Sequence, residues 1–204
     1  MTSSSSDEYL TIKTSVRFKK KVEGSIFIAT AIPVESEEAA EDSIEKISKE
    51  FFDATHNCFA WRIGKAPNQS LRFSDAGEPK GTAGKPILSA IQSENLHNVL
   101  IVVTRYFGGI KLGTGGLSRA YRQSAQSVLQ KADKATKLVT SELVLSYPLS
   151  MTGRVNQVFG KYSVRIKDHG FEEKPTARIM VRATLLEKVK KALVQATNAQ
   201  VEFK

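Results

Sequence analysis

The sequence predicts an α+β protein in two parts. Two observations lead to that reading. Residues up to 137 alternate strand-like and helix-like segments and culminate in an apolar strand, a glycine-rich loop and a long amphipathic helix. After Lys137 the pattern restarts and runs strand, helix, strand, strand, helix, strand. That order is the ferredoxin-like arrangement, two helices on one face of an antiparallel sheet. The expected division is therefore 1–137 and 138–204, with a boundary near Thr136–Ser141.

The serine-rich start, residues 1–8, predicts no structure. Thr11–Lys21 alternates imperfectly, as an edge strand does, and Ser25–Ile32 is a second strand that Pro33 ends. Ser36 is placed to cap a helix with Glu37 and Glu38 in its first turn. Ala40, Ile44, Ile47 and Phe51 then recur at helical spacing. Asn57–Ile63 reads as a strand with Phe59, Trp61 and Ile63 on one face and His56, Cys58, Ala60 and Arg62 on the other. Pro67-Asn68 marks a turn. Pro86 suits the first turn of a short helix that buries Ile87, Leu88 and Ile91. Val99–Thr104 is apolar on both faces and predicts a central strand. Leu117, Ala120, Tyr121, Ser124, Val128, Leu129 and Ala132 mark the long helix.

In the C-terminal part, Glu142–Tyr147 is a strand, and Met151–Gly160 a helix capped by Thr152 or Ser150. Ser163–Phe171 and Thr176–Thr184 are strands joined by a turn at Glu172–Pro175. Leu185–Ala196 is a helix with Leu186, Val189, Leu193 and Ala196 inward, and Gln200–Phe203 is a last strand.

Composition narrows the function classes. No apolar run approaches the ~20 residues of a membrane span, and the first residues lack the features of a secretory signal. Cys58 is the only cysteine, so no internal disulfide forms and a cytoplasmic setting is expected. The net charge is +9. Residues 51–138 hold 12 basic and 5 acidic residues, and residues 139–204 hold 11 and 6. The segment Glu35–Glu50 carries seven acids against Lys46 and Lys49. Basic charge thus gathers on the glycine-rich segment and the C-terminal third, which favours a polyanionic partner such as RNA.

The loop after Tyr106 holds Gly108, Gly109, Gly113, Gly115 and Gly116, with Arg105 and Lys111 beside it and Arg119 one turn into the helix. Free amides with nearby cations suit an anion such as phosphate. A second loop, Asp75 to Lys85, adds Lys80, Lys85, Gly81 and Gly84, and it reads either as an anion site at the following helix, organised by Asp75 and Glu78, or as a structural turn held by internal salt bridges. The first loop fits neither nucleotide signature. Gly113 is followed by Thr114-Gly115 rather than Lys and Ser/Thr, and Ser118 displaces the third glycine of a dinucleotide fingerprint. His56 lies two residues from Cys58, but an orienting third group and an oxyanion site are not evident, so no catalytic residue is assigned. His97 and His169 fall in expected turns far apart in sequence, so no metal site is expected and no cofactor is implied. His56 is expected to be a structural or orienting residue near Asp75 or Glu78.

Four segments carry a specific resemblance: Phe27–Val34 (FIATAIPV), Asp53–Ile63 (DATHNCFAWRI), Ser74–Leu88 (SDAGEPKGTAGKPIL) and Val102–Tyr121 (VVTRYFGGIKLGTGGLSRAY). With them the chain resembles the IMPACT family over most of residues 9–135. The resemblance implies a two-layer α/β sandwich like domain IV of elongation factor G, followed by an extra domain found in bacterial members and similar to domain V of that factor. Eukaryotic members regulate translation. The pair of domains, rather than the eukaryotic role, implies binding to structured RNA or the ribosome. Together with the loop cations this gives the expected reading: a non-catalytic protein affecting translation, with Lys80, Lys85, Arg105, Lys111 and Arg119 meeting phosphates. The alternative left open by the same residues is an enzyme or binder for a small phosphate-containing metabolite, with His56, Asp75 and Glu78 as acid–base or orienting groups.

Overall fold

The computed structural model describes residues 7–66, 68–171 and 173–204; expectations for residues 1–6, Pro67 and Glu172 lie outside the described residues. The chain divides into two compact units, Tyr9–Lys137 and Leu138–Lys204, the latter together with Asp7 and Glu8. No helix among the described residues is long and apolar enough to cross a membrane.

The N-terminal unit runs β1 (Glu8–Ile12), β2 (Val16–Val22), β3 (Ser25–Pro33), α1 (Glu37–Glu50), β4 (His56–Ile63), β5 (Ser70–Ser74), α2 (Gly84–Ser93), β6 (Val99–Tyr106), α3 (Gly113–Lys131) and β7 (Lys134–Leu138). Five strands form one sheet in the order β2-β3-β6-β4-β5, and every neighbouring pair is antiparallel. Strand β6 occupies the middle because Val99 to Arg105 can all be buried. The Ser36 hydroxyl caps α1 by accepting from the Ala39 N–H at 3.2 Å. The stretch expected as one edge strand at residues 11–21 is two strands, of which β1 begins at Glu8 and pairs with β7.

The two faces of the sheet pack differently. Phe27, Ala29, Cys58, Ala60, Ile101 and Val103 meet α2 (Ile87, Ile91) and α3 (Tyr121, Val128, Leu129). Trp61, Ile63, Leu100 and Val102 meet α1 through Ala40 and Ile47 on the opposite face. Small residues on β3 and β4 let α2 and α3 approach closely. Each large aliphatic chain buried between them contributes about 1.5–3 kcal/mol.

This packing brings three connections together at one end of the sheet. They are the β2–β3 turn at Glu23-Gly24, the segment from Asp75 to Ala83, and the loop from Phe107 to Leu112. Gly108 lies against Gly24 so closely that a Cβ on it would fall 1.9 Å from the Gly24 carbonyl carbon. Only glycine permits that contact.

The C-terminal unit runs β8 (Thr140–Ser146), α4 (Thr152–Lys161), β9 (Arg165–Phe171), β10 (Pro175–Arg182), α5 (Leu186–Ala196) and β11 (Glu202–Phe203). Its sheet order, β11-β8-β10-β9 with all pairs antiparallel, is the ferredoxin-like order. Leu143, Leu145, Ile179 and Val181 pack on Val155, Phe159, Val189 and Leu193. Neither Thr152 nor Ser150 caps α4. The Thr152 hydroxyl instead donates to the Leu149 carbonyl at 2.7 Å, because a short 3-10 turn at Leu149–Met151 leads into the helix. His169 lies in β9, an edge strand exposed along its length, rather than in a turn.

Candidate loop cluster of the N-terminal unit

Arg105 stands in β6 opposite Phe27 of β3 and His56 of β4. The period-2 alternation that turns Ile101 and Val103 toward α3 turns Arg105 the same way. Its Nη1 donates to Glu78 Oε1 at 2.6 Å, and its Nη2 donates to Ser25 Oγ at 3.3 Å. Only 6% of the Arg105 side chain and 3% of the Glu78 side chain are exposed. The Tyr121 hydroxyl, from the buried stripe of α3, donates to the same Glu78 oxygen at 2.7 Å. The rings of Phe27 and Phe107 each lie 5.5 Å from the guanidinium carbon. A buried arginine or glutamate without its counter-charge costs several kcal/mol, so each stays inside only because the other is there.

Arg105 therefore does not meet phosphate at the surface as the sequence predicts. Its charge is spent on Glu78, and it ties the second glycine loop to β6.

Asp75 fills the second expected anion site from within. Its carboxylate accepts from the backbone N–H groups of Gly81 at 2.7 Å, Gly84 at 2.8 Å and Ala83 at 3.0 Å. Burial works to raise its pKa, but the three N–H bonds outweigh it and hold the carboxyl below its ordinary value. The N-terminus of α2 is thus capped by the chain's own carboxylate, which occupies the amides of Ala83 and Gly84. Gly84 is required here, since a Cβ would fall 2.8 Å from the Ser74 nitrogen.

Cys58 is buried beneath this loop and donates its S–H to the Asp75 carbonyl at 2.9 Å, with the Tyr121 hydroxyl 3.4 Å away. Burial pushes the thiol up to about 12. The thiolate that a nucleophile needs is scarce at neutral pH. Burial, with Cys58 and Glu78 as neighbours, also pushes the Tyr121 phenol up. His56 Nδ1 lies 2.8 Å from the Ala76 carbonyl oxygen. A carbonyl only accepts, so Nδ1 carries a proton, and Nε2 lies 3.9 Å from Glu78 Oε1. His97, by contrast, is buried against the Gly64 carbonyl at 2.8 Å, and burial lowers its pKa.

The remaining expected cations behave differently. Lys80, Lys85, Lys111 and Arg119 are all exposed, and none makes a salt bridge among the described residues. Lys85 acts on Asp75 only through its field. Gly81, Gly109 and Gly113 take positive φ in open space, and Gly115 and Gly116 fall in the first turn of α3. A Cβ on Gly115 would lie 3.6 Å from an Arg119 nitrogen, so that guanidinium runs along the helix start. The N-cap residue of α3, Leu112, provides no side-chain acceptor. Among the described residues no group of three or more His, Cys, Asp or Glu could hold a metal ion.

Three residues of the cluster escape the sequence reading: Ser25, Thr55 and Tyr121. Tyr121 leaves a trace, as the one residue with a long polar tip on the apolar stripe of α3. Ser25 and Thr55 leave none, because their partners come from β6 and the loop behind it.

The chain matches the Impact N-terminal domain over residues 23–129. It is 41% identical to an IMPACT family member of Haemophilus influenzae over 167 residues, 81% of each chain. It is 31% identical to the IMPACT family member YvyE of Bacillus subtilis over 196 residues, 96% of this chain and 90% of that one. A crystal structure described as a hypothetical protein superimposes with a TM-score of 0.75 at 28% identity, covering 96% of both chains.

Proposed function

From membership of the IMPACT family, to which this chain belongs, we propose a non-catalytic protein that binds RNA or the ribosome and acts on translation in the cytoplasm. One observation supports this reading above the others. The loop from Asp75 to Lys85 is formally neutral, with two acids and two lysines, yet its charges are sorted. Glu78 is neutralised by Arg105 inside, Asp75 is bound by three amides, and Lys80 and Lys85 stay outside without a salt bridge, Lys85 meeting Asp75 only through its field. The outward face of a neutral segment is therefore positive. Lys111 and Arg119, before and within the first turns of α3, are likewise exposed without a salt bridge among the described residues. Cations on loops and at a helix start contact phosphate and position a nucleic acid without reading its sequence.

A salt titration tests the reading. Affinity for a structured RNA and for ribosomes should fall by orders of magnitude between ~50 and ~200 mM salt if six or more phosphate contacts form. Lys85→Ala with Lys111→Ala should weaken binding to every sequence and flatten the log–log slope by roughly one unit per lost contact. Absence of binding to either target at ~50 mM salt overturns the reading.

The second reading, a binder or enzyme for a small phosphorylated metabolite, draws on His56. Its ring is fixed by the Nδ1 bond to the Ala76 carbonyl, and its Nε2 faces Glu78. Calorimetry with inorganic phosphate, and loss of any heat in His56→Ala, tests it.

A further inference from the structure

Two large apolar side chains stand exposed on the loop that carries Lys111. Phe107 is 47% exposed and Ile110 is 53% exposed. An exposed aromatic on a glycine loop is ordinarily free to move with its backbone. Here the backbone is fastened on both sides of the ring. The Phe107 N–H donates to Thr55 Oγ1 at 3.0 Å, and the Gly108 N–H donates to Ser25 Oγ at 3.2 Å. Gly108 also rests directly on Gly24. The Arg105 guanidinium carbon lies 5.5 Å from the ring centroid, and Glu78 holds that guanidinium in turn. The ring is thus attached to a backbone held by two hydrogen bonds and a close Gly–Gly contact while about half of the residue faces outward.

We propose that Phe107 is a stacking platform for an unpaired RNA base, with Lys111 meeting a neighbouring phosphate. This rests on the RNA-binding reading above and narrows its target to loops, bulges or single-stranded ends. Bases there expose a face that an aromatic ring can cover. Charge complementarity selects a nucleic acid over an apolar peptide. A peptide would satisfy Phe107 and Ile110 but leave Lys80, Lys111 and Arg119 uncompensated, whereas a nucleotide chain supplies an aromatic face and an anion in each repeat. Arg105 has a second role in this arrangement. By lying behind the ring, it lets the fixed pair with Glu78 set the orientation of an exposed group.

The test compares the full chain with Phe107→Ala, Phe107→Leu and Phe107→Trp, each first shown by its melting temperature to be folded. The probes are a single-stranded oligoribonucleotide carrying 2-aminopurine and the same sequence as a full duplex. The wild-type chain should prefer the single strand and quench 2-aminopurine. Phe107→Ala and Phe107→Leu should each lose about fivefold or more in affinity, the lower end of what one stacked base contributes. Phe107→Trp should retain affinity and quenching. The salt slope should be the same in all four, because no phosphate contact is removed. If the wild type binds RNA and Phe107→Ala or Phe107→Leu matches it, the platform is overturned while the RNA reading stands. An equal affinity for the duplex overturns it too, as does a ring effect seen only as loss of self-association. If the wild type binds no RNA at all, both fall together.

Discussion

The N-termini of α2 and α3 start from the same materials and end in opposite states. Each helix follows a loop of glycines with exposed lysines, and each has an N-cap residue whose own side chain accepts nothing. At α2, a carboxylate from eight or nine residues upstream comes back and takes the amides of Ala83 and Gly84. At α3 no side chain among the described residues does this, and Arg119 lies along the first turn instead. Glycine plus lysine before a helix therefore does not specify a place for an outside anion. The deciding factor is whether the chain supplies an anion of its own. Asp75 does so for α2, and the rest of that loop's acidity goes to Glu78 and Arg105.

The comparison breaks most forcefully at Glu78. Glu78→Ala leaves Arg105 buried without its counter-charge and Tyr121 without its acceptor. The expected cost is about 3–5 kcal/mol, read from the urea midpoint of the full chain. A loss below about 1 kcal/mol would mean that water reaches the guanidinium, and that the pair does not fasten the two loops.

A smaller effect is expected at Asp75. Asp75→Ala removes the cap of α2 and should cost about 1 kcal/mol. Sulfate should recover part of that loss in the variant and much less in the wild type, because the emptied amides become an anion seat. The pH dependence follows from the direction of the Asp75 shift. Its folded pKa lies below the ordinary 3.8, so its contribution is complete above that value and fades as pH falls through the folded pKa. Wild-type stability should then drop more steeply below about pH 4 than that of Asp75→Asn. Equal slopes would remove Asp75 from the account of α2.

Much of this fold was legible in the residues. The doubly apolar Val99–Thr104 marked the central strand, Ser36 marked its helix cap, and the restart after Lys137 marked the βαββαβ order. Strand β5 was not legible, because Ser70–Ser74 (SLRFS) is a short edge strand with most of its residues exposed and no clean alternation. The β1–β7 pair joins ends of the unit that are more than 120 residues apart in sequence, and no local pattern announces it. For the site, the sequence reading placed Lys80, Lys85, Lys111 and Arg119 in or beside the two glycine loops, and all four are exposed. It misassigned Arg105 although the alternation along β6 already pointed it inward with Ile101 and Val103. Charge was read as exposure there, while its partner, Glu78, sat 27 residues away on a loop whose path only the tertiary structure shows.

Amide shifts in a backbone-labelled sample test the asymmetry of the two helix starts most directly. Titrating a short single-stranded oligoribonucleotide at low salt should move the amides of Thr114, Gly115 and Gly116 in α3 most, and those of Ala83 and Gly84, held by the Asp75 carboxylate, much less, although Lys80 and Lys85 meet phosphate beside them. Shifts centred on Gly81–Gly84, or no shift at either helix at saturating RNA, would contradict the account.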